Sequence, residues 1–497
     1  MPPPPGRSET ALAAMCASPH NRAMPVSADY RPDPRFASLG PEFADPVAPA
    51  DFPMAAIRHR NQRAAASVGL GALTEAEWRT HFARFEPLPD NQATPLAMRY
   101  HGHQFRVYNP DLGDGRGFLF AQLREAGTGR LLDLGTKGSG QTPWSRGGDG
   151  RLTLKGGVRE VLATAMLEAL GVPTSRSLSL IETGEALQRG DEPSPTRSAV
   201  LTRLSLSHIR FGTFQRLAAL DRADLLGVLI DHVVETYYPD FAGAPNRAAA
   251  LLAAVVARCA HLTARWMTAG FVHGVLNTDN MNVTGESFDY GPYRFLPMND
   301  PNFVAAYFDS TGLYSFGRQP EAVFWNLQQL AGALSVASPA EPLVAALNGF
   351  SAAYRQALAS AMLNRLGLRP RSPGAEVDLA NAAFRALAEG GEALRWEPFF
   401  FDWFGGRASE ARALKGSRAA VYGGDAFIEF RGRLADFEPA RPERLEAGYF
   451  ARPDPEELLY DQIEALWSAI ADRDDWTPFE AKLTTIEEAR SAWELGD

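Results

Sequence analysis

The stretch FVHGVLNTDNMNVTGESFDYGP, residues 271–292, sets the reading of the whole chain. It places His273, Asp279, Asn280 and Asp289 on one short loop–strand–loop. Asn and Asp side-chain oxygens are hard ligands suited to Mg²⁺, which takes few protein ligands and completes its shell with phosphate oxygens and water. Asp279 stands directly before Asn280, where a carboxylate can accept a proton from an attacking hydroxyl. Taken alone, N-T-D-N reads equally as an Asx turn, and His273 as a hydrogen-bonded structural histidine. Spacing decides between the two readings.

A protein-kinase catalytic loop reads H-R-D-x-x-x-x-N and is followed later by D-F-G. His273 and Asn280 keep that seven-residue spacing, and Asp289-Tyr290-Gly291 stands where D-F-G would be. The usual base position, two residues after the histidine, is Val275, and an acid stands instead at Asp279. Two metal-ligand positions, Asn280 and Asp289, are kept while the acid has moved. This predicts phosphate chemistry other than ordinary protein phosphorylation.

Upstream lie further groups of the same kind. In Leu112-Gly113-Asp114-Gly115-Arg116-Gly117, Gly113 and Gly115 would let backbone N–H groups approach phosphate, and Arg116 would add a planar positive fork. A plain β-turn is the competing reading. Lys137 ends a predicted strand 23 residues before Glu160 in the next helix, the arrangement of a kinase Lys–Glu ion pair that holds the lysine against nucleotide phosphates. WSRGGDGR (144–151) is a second Gly-rich loop, dense in hydrogen-bonding groups. Arg203 and Arg210 in TRLSLSHIRFG could grip a polyphosphate or form a surface patch. His101 and His103 in YHGHQF have no third ligand at metal spacing and read as structural.

Pattern and punctuation divide the chain into a tail and extended lead-in (1–45), a strand-rich N-terminal lobe with Gly loops (46–215), a helical lobe holding the 271–292 segment (216–390) and a C-terminal region (391–497). Strands are expected at 117–123, 131–134, 176–182 and 198–205, and helices at 154–170, 222–237, 246–269 and 319–335. The C-terminal region is expected to alternate aromatic turns with amphipathic helices such as 454–470. The predicted fold is α+β: a two-lobed, protein-kinase-like fold with an N-terminal extension and a helical C-terminal region, its nucleotide cleft between the lobes.

Composition bounds the function. A net charge of −10 argues against sequence-independent binding to nucleic acid, while leaving room for a local basic pocket. Two cysteines, Cys16 and Cys259, make neither a disulfide framework nor a cysteine zinc site, and Cys259 reads as a buried thiol. No run of about 18 apolar residues is found, so no membrane span is expected. The Pro- and Ala-rich N-terminus lacks a signal-peptide core, and a cytoplasmic location is expected.

Together YHGHQF, LGDGRG, TKGSGQTPWSRGGDGR, the VRE at 158–160, RLSLSHIRFG, the 271–292 segment and YSFGRQPEAVFWNLQQLAGAL resemble the selenoprotein O family, known in bacteria as YdiU. The resemblance covers about residues 50–335. It implies a pseudokinase-like fold that binds ATP in a flipped orientation and transfers AMP to protein hydroxyls. On this chain it implies nucleotide contacts at Gly113, Gly115, Arg116, Lys137, Asp149, Gly150, Arg203, Arg210 and Asp289. It further implies Glu160 pairing with Lys137, Mg²⁺ (or Mn²⁺) on Asn280 and Asp289, and Asp279 as proton acceptor. Transfer of UMP from UTP, kinase-like phosphotransfer and a non-catalytic nucleotide-binding scaffold are the alternatives. Two departures stand out. Family members usually have Gly where Arg106 stands, which leads us to expect a different local turn, and the chain ends without the C-terminal selenocysteine or cysteine that many members carry.

Overall fold

Alternating apolar side chains write most of a curled, eight-stranded sheet in the computed structural model, which describes residues 26–190 and 192–495. The expected N-terminal tail, with Cys16, lies outside the described residues up to residue 25. The strands are β1 (Ala44–Pro46), β2 (Ala56–Arg60), β3 (Leu96–Met98), β4 (Gly102–Gln104), β5 (Val107–Asn109), β6 (Leu119–Arg124), β7 (Leu131–Lys137), β8 (Leu152–Thr153), β9 (Arg176–Leu187) and β10 (Thr196–Ser205). The main sheet runs β1-β3-β6-β7-β10-β9-β2 with β8 paired to β10, and β4–β5 forms a separate hairpin. Because side chains alternate across a strand, Phe118, Phe120, Leu132 and Leu134 pack with Trp78 and Phe82 in one core. Leu119, Leu180 and Leu201 join Val158 and Leu162 in the other.

Two short helices, α1 (Gln62–Ala66) and α2 (Glu75–Phe82), cover the first face. Helix α2 starts at a capping box, in which Thr74 and Glu77 satisfy each other's backbone N–H. The second face carries α3 (Leu154–Ala169), capped by Thr153.

Beyond the sheet the chain is helical: α4 (Phe211–Ala219), α5 (Ala223–Tyr237), α6 (Arg247–Thr268), α7 (Gln319–Leu334), α8 (Ala340–Asn348), α9 (Phe350–Arg365) and α10 (Pro373–Gly390). Helix α6 is long and apolar enough to cross a membrane by length and composition alone. It packs instead against α5, α7, α8 and α9, with most of its apolar window buried, as the central core helix. Cys259 lies on it, buried, its thiol pushed up to about 12 by desolvation.

The C-terminal region contains α11 (Trp396–Trp403), α12 (Glu410–Ala413), α13 (Asp425–Leu434), α14 (Tyr460–Arg473) and α15 (Thr477–Trp493). The aromatic run WEPFFFDW is a buried helix rather than a turn. The helix expected from 454 starts only at Tyr460, after an irregular stretch from Pro455 to Leu459. Helices α14 and α15 return to pack on α3, where Lys155 meets Glu464 at 2.8 Å.

The decisive segment opens with the two-residue β11 (Phe271–Val272), paired with β12 (Arg294–Phe295), and carries a 3₁₀ turn at Thr278–Asn280; beyond Val272 no further strand forms in it. Backbone bonds replace the missing strand. Ser287 exchanges them with Pro173 and Ser175 at 2.9 Å, and its hydroxyl accepts from Trp266 Nε1. Glu286 Oε2 accepts from Leu206 N–H at 2.8 Å, fastening the segment to the end of β10.

Burial pushes the Glu286 carboxyl up to about 8. The folded chain therefore keeps a proton that the unfolded chain releases near 4.5, so this group costs stability progressively as pH rises from about 4.5 to about 8. E286Q keeps an acceptor for Leu206 and removes the charge. We expect it to raise unfolding free energy by roughly 1.4 kcal/mol or more at about pH 9, with the gain vanishing near pH 5. Denaturant titrations at the two pH values check this, and equal stabilities at pH 9 would contradict it.

Candidate active site

Lys137, Glu160 and Asp289 meet because three elements converge. Lys137 is the last residue of β7, Glu160 lies in the second turn of α3, and Asp289 follows the stapled Ser287. The buried Lys137 ammonium makes a close ion pair with Glu160 and donates to Asp289 Oδ1 at 2.7 Å. Arg203, opposite Gly135 in the β7–β10 register, lies 3.4 Å from Asp289 and 3.9 Å from Glu160. Arg210, between β10 and α4, approaches Asp289 Oδ2 at 3.6 Å, Asp114 Oδ1 at 3.3 Å and the Asp279 carbonyl oxygen at 2.7 Å. Burial pushes the Asp289 carboxyl up, but Lys137, Arg203, Arg210 and Arg116 outweigh it and hold the group well below the usual range. Asp289 takes a left-handed backbone, φ 65°, a conformation Asp tolerates better than most residues.

Asp279 sits ten residues earlier, on the 3₁₀ turn. Its side chain is buried: Oδ1 has no hydrogen-bond partner, and Oδ2 accepts from Gln104 Nε2 at 3.4 Å. Burial raises its carboxyl to about 6 against the pull of Arg210. Next to it, Asn280 Nδ2 donates to the Val275 carbonyl at 2.9 Å, leaving the amide oxygen as the atom available to a metal. His273 is buried and bonds through Nε2 to the Phe288 carbonyl at 3.1 Å, so it supports the residue before Asp289.

A cavity of about 560 Å³ opens between these groups, within the range of small-ligand sites. Gly113, Gly115, Arg116, Lys137, Asp149, Gly150, Arg203, Arg210, Asp279 and Asp289 all line it. Glu160 stands behind the wall, paired with Lys137 and near Arg203, and Asn280 is not on the wall either. Seven basic and four acidic side chains line it, a local excess of positive charge on an acidic chain. The basic set includes three arginines that the sequence reading did not single out: Arg146, Arg151 and Arg189. Arg189 holds Asp149 through two bonds, 2.7 and 3.1 Å. Tyr100, whose ring lies 4.5 Å from the Arg210 guanidinium, was also missed.

The glycines on the cavity wall also answer to a packing constraint. A Cβ on Gly113 would lie 2.3 Å from the Trp144 ring, and one on Gly115 would lie 2.8 Å from the Trp144 carbonyl oxygen. They let the second Gly-rich loop lie against the first. Trp144 is then fixed by its indole N–H to Asp45 at 2.9 Å. His101 and His103 bond Tyr108 and Gln215, as structural histidines do.

The donor set suits Mg²⁺. Asp289 is a partly buried carboxylate kept ionised, and with the Asn280 amide it offers only hard oxygens. Among the described residues no cluster of three or more His, Cys, Asp or Glu is gathered for a metal, so most of the ligands would come from phosphate and water.

Comparison with known proteins follows the same line. A family profile described as "Protein adenylyltransferase SelO" matches residues 26–487. A "Protein nucleotidyltransferase YdiU" of Gloeobacter violaceus is 47% identical over 478 residues, covering 93% of this chain and 95% of that protein. Its Synechocystis namesake is 45% identical over 471 residues, covering 90% and 96%. One from Bradyrhizobium is 37% identical over 456 residues, covering 90% and 91%. With a match over nearly its whole length, the chain belongs to the SelO/YdiU family, described as protein adenylyltransferases.

Proposed function

We propose that this protein transfers AMP from ATP to Ser, Thr or Tyr hydroxyls of proteins. In this reading the strand-rich and helical parts are the two lobes of a kinase-like fold, and ATP binds flipped, with its α-phosphorus toward Asp279. The observation that carries the reading is Asp279 itself. It is a buried carboxylate with one unpartnered oxygen, raised to about 6, on the wall of a strongly basic cavity. Val275 stands where a phosphotransferase would keep its base.

The step follows from these groups. Asp279 takes the proton as the acceptor hydroxyl oxygen attacks the α-phosphorus; the bond from that phosphorus to the bridging oxygen breaks, and pyrophosphate leaves. Lys137, Arg203, Arg210 and Arg116 neutralise the phosphates and the charge of the leaving group, where preorganised electrostatics contribute most. Glu160 keeps Lys137 in place. Mg²⁺, when bound through Asp289 and Asn280, adds Lewis-acid neutralisation of phosphate charge. The relatives' shared name, nucleotidyltransferase, leaves the base open, so competition by UTP separates AMP from UMP transfer.

Incubation with ATP labelled separately at the α and γ positions, using the chain itself and a panel of Ser, Thr and Tyr peptides as acceptors, tests the reaction. Label should reach protein or peptide from the α position; label arriving only from the γ position would establish phosphotransfer instead. Asp279→Ala should slow transfer by about 10²–10⁴-fold while equilibrium binding of ATP stays within about twofold. Unchanged transfer would exclude Asp279 as the base.

A further inference from the structure

The YHGHQF motif has so far no part in the chemistry. Its glutamine, Gln104, meets the proposed base across a separation of 175 residues. Strands β4 and β5 are joined by a two-residue turn, Phe105-Arg106, with φ of 49° and 65°. Positive φ at both central residues is the tight hairpin geometry that favours Asn-Gly, so this turn holds two bulky residues at a cost. Surrounding contacts over-determine it. Phe105 N–H donates to Asn277 Oδ1 at 3.0 Å, and its ring lies 5.0 Å from that of Tyr314. Arg106 pairs with Glu321 at 3.0 Å and lies over Trp325. Arg106 thus occupies a glycine-type conformation, and a glycine there would fit the same turn.

The hairpin is strapped to the loop that carries the base. His103 N–H donates to Thr278 Oγ1 at 2.7 Å, one residue before Asp279. Between His103 and Phe105 projects Gln104, on the cavity wall. Its Oε1 accepts from Asn109 Nδ2 at 3.3 Å, which fixes the amide so that Nε2 faces Asp279 Oδ2. The other carboxylate oxygen, Oδ1, is buried and has no partner.

We propose that Gln104 is a positioning residue for Asp279: its amide N–H holds Oδ2 and fixes the rotamer in which the carboxylate meets the acceptor's hydroxyl at the cavity wall. This rests on the nucleotidyl-transfer reading above. The Asn109–Gln104–Asp279 series selects one carboxylate rotamer in advance, so that no reorganisation is needed as the hydroxyl arrives. The left-handed turn and its straps exist, in this view, to hold Gln104 in reach of a base distant in sequence.

The test measures α-label transfer and equilibrium ATP binding in the full chain bearing Gln104→Leu or Gln104→Glu, each close to Gln in size. Both should lower kcat about tenfold or more, with ATP affinity and thermal melting near those of the unmodified chain. In an Asp279→Ala background, Gln104→Leu should cost nothing further, because the group it positions is gone. Unchanged kcat, a loss explained by weaker ATP binding, or a full additional loss in the double variant would each overturn the assignment. Failure of the unmodified protein to move α-label would overturn the reaction and this assignment together, whereas normal transfer by both Gln104 variants overturns the assignment alone.

Discussion

A single partly buried carboxylate, Asp289, organises the molecule. Lys137, Arg203 and Arg210 surround it and hold it ionised at the edge of the cavity. Removing one member from such a cluster leaves an uncompensated charge, which costs far more than the cluster gains in isolation. That constraint ties together elements far apart in the chain: the end of β7, the second turn of α3, strand β10 with its exit, and the stapled 284–288 segment. The two faces of the sheet are then covered from opposite ends of the sequence. Helices α1 and α2 cover one, and α3, backed by α14 and α15, covers the other. The C-terminal helices so contribute to the seating of Glu160, although they carry no group of the site.

The electrostatics also reconcile an acidic chain with a phosphate-binding reading. Net charge describes the surface as a whole, whereas the cavity concentrates basic groups on a few strand ends and loops. With a polyphosphate in place, Lys137 and the arginines would exchange carboxylate partners for phosphate oxygens without leaving their anchors. Arg210 is anchored by Asp114 and the Asp279 carbonyl, and Lys137 by Glu160. This is preorganisation in the ordinary electrostatic sense.

Local pattern exposed much of this. Alternation at 117–123 and 131–134 marked β6 and β7, helical periodicity marked α3, and fixed spacing joined Lys137 to Glu160 and His273 to Asn280. The long helices α5, α6 and α7 agree with expectation to within a residue or two. What escaped the sequence depends on contacts without a local signature. Trp144 fills the space left by Gly113 from another loop, Arg189 reaches Asp149 across 40 residues, and Gln104 reaches Asp279 across 175. The aromatic run at 396–403 is a helix rather than the expected turn, and all eight of its residues are buried, Glu397 and Asp402 through ion pairs with Arg365 and Arg418. A helix buried all round lacks the polar face that periodicity detects. The stretch after Pro455 was misread as helix because apolar spacing there outweighed proline's effect on the chain around it.

The central claim is that the nucleotide lies with its α-phosphorus, not its γ-phosphorus, at Asp279. The most direct measurement is a crystal structure of the chain with Mg²⁺ and an ATP analogue that cannot be cleaved between the α- and β-phosphates. The account predicts the α-phosphorus nearest Asp279 and the terminal phosphates among Lys137, Arg203 and Arg210. A γ-phosphorus facing Asp279, with the α-phosphate remote from it, would contradict the account.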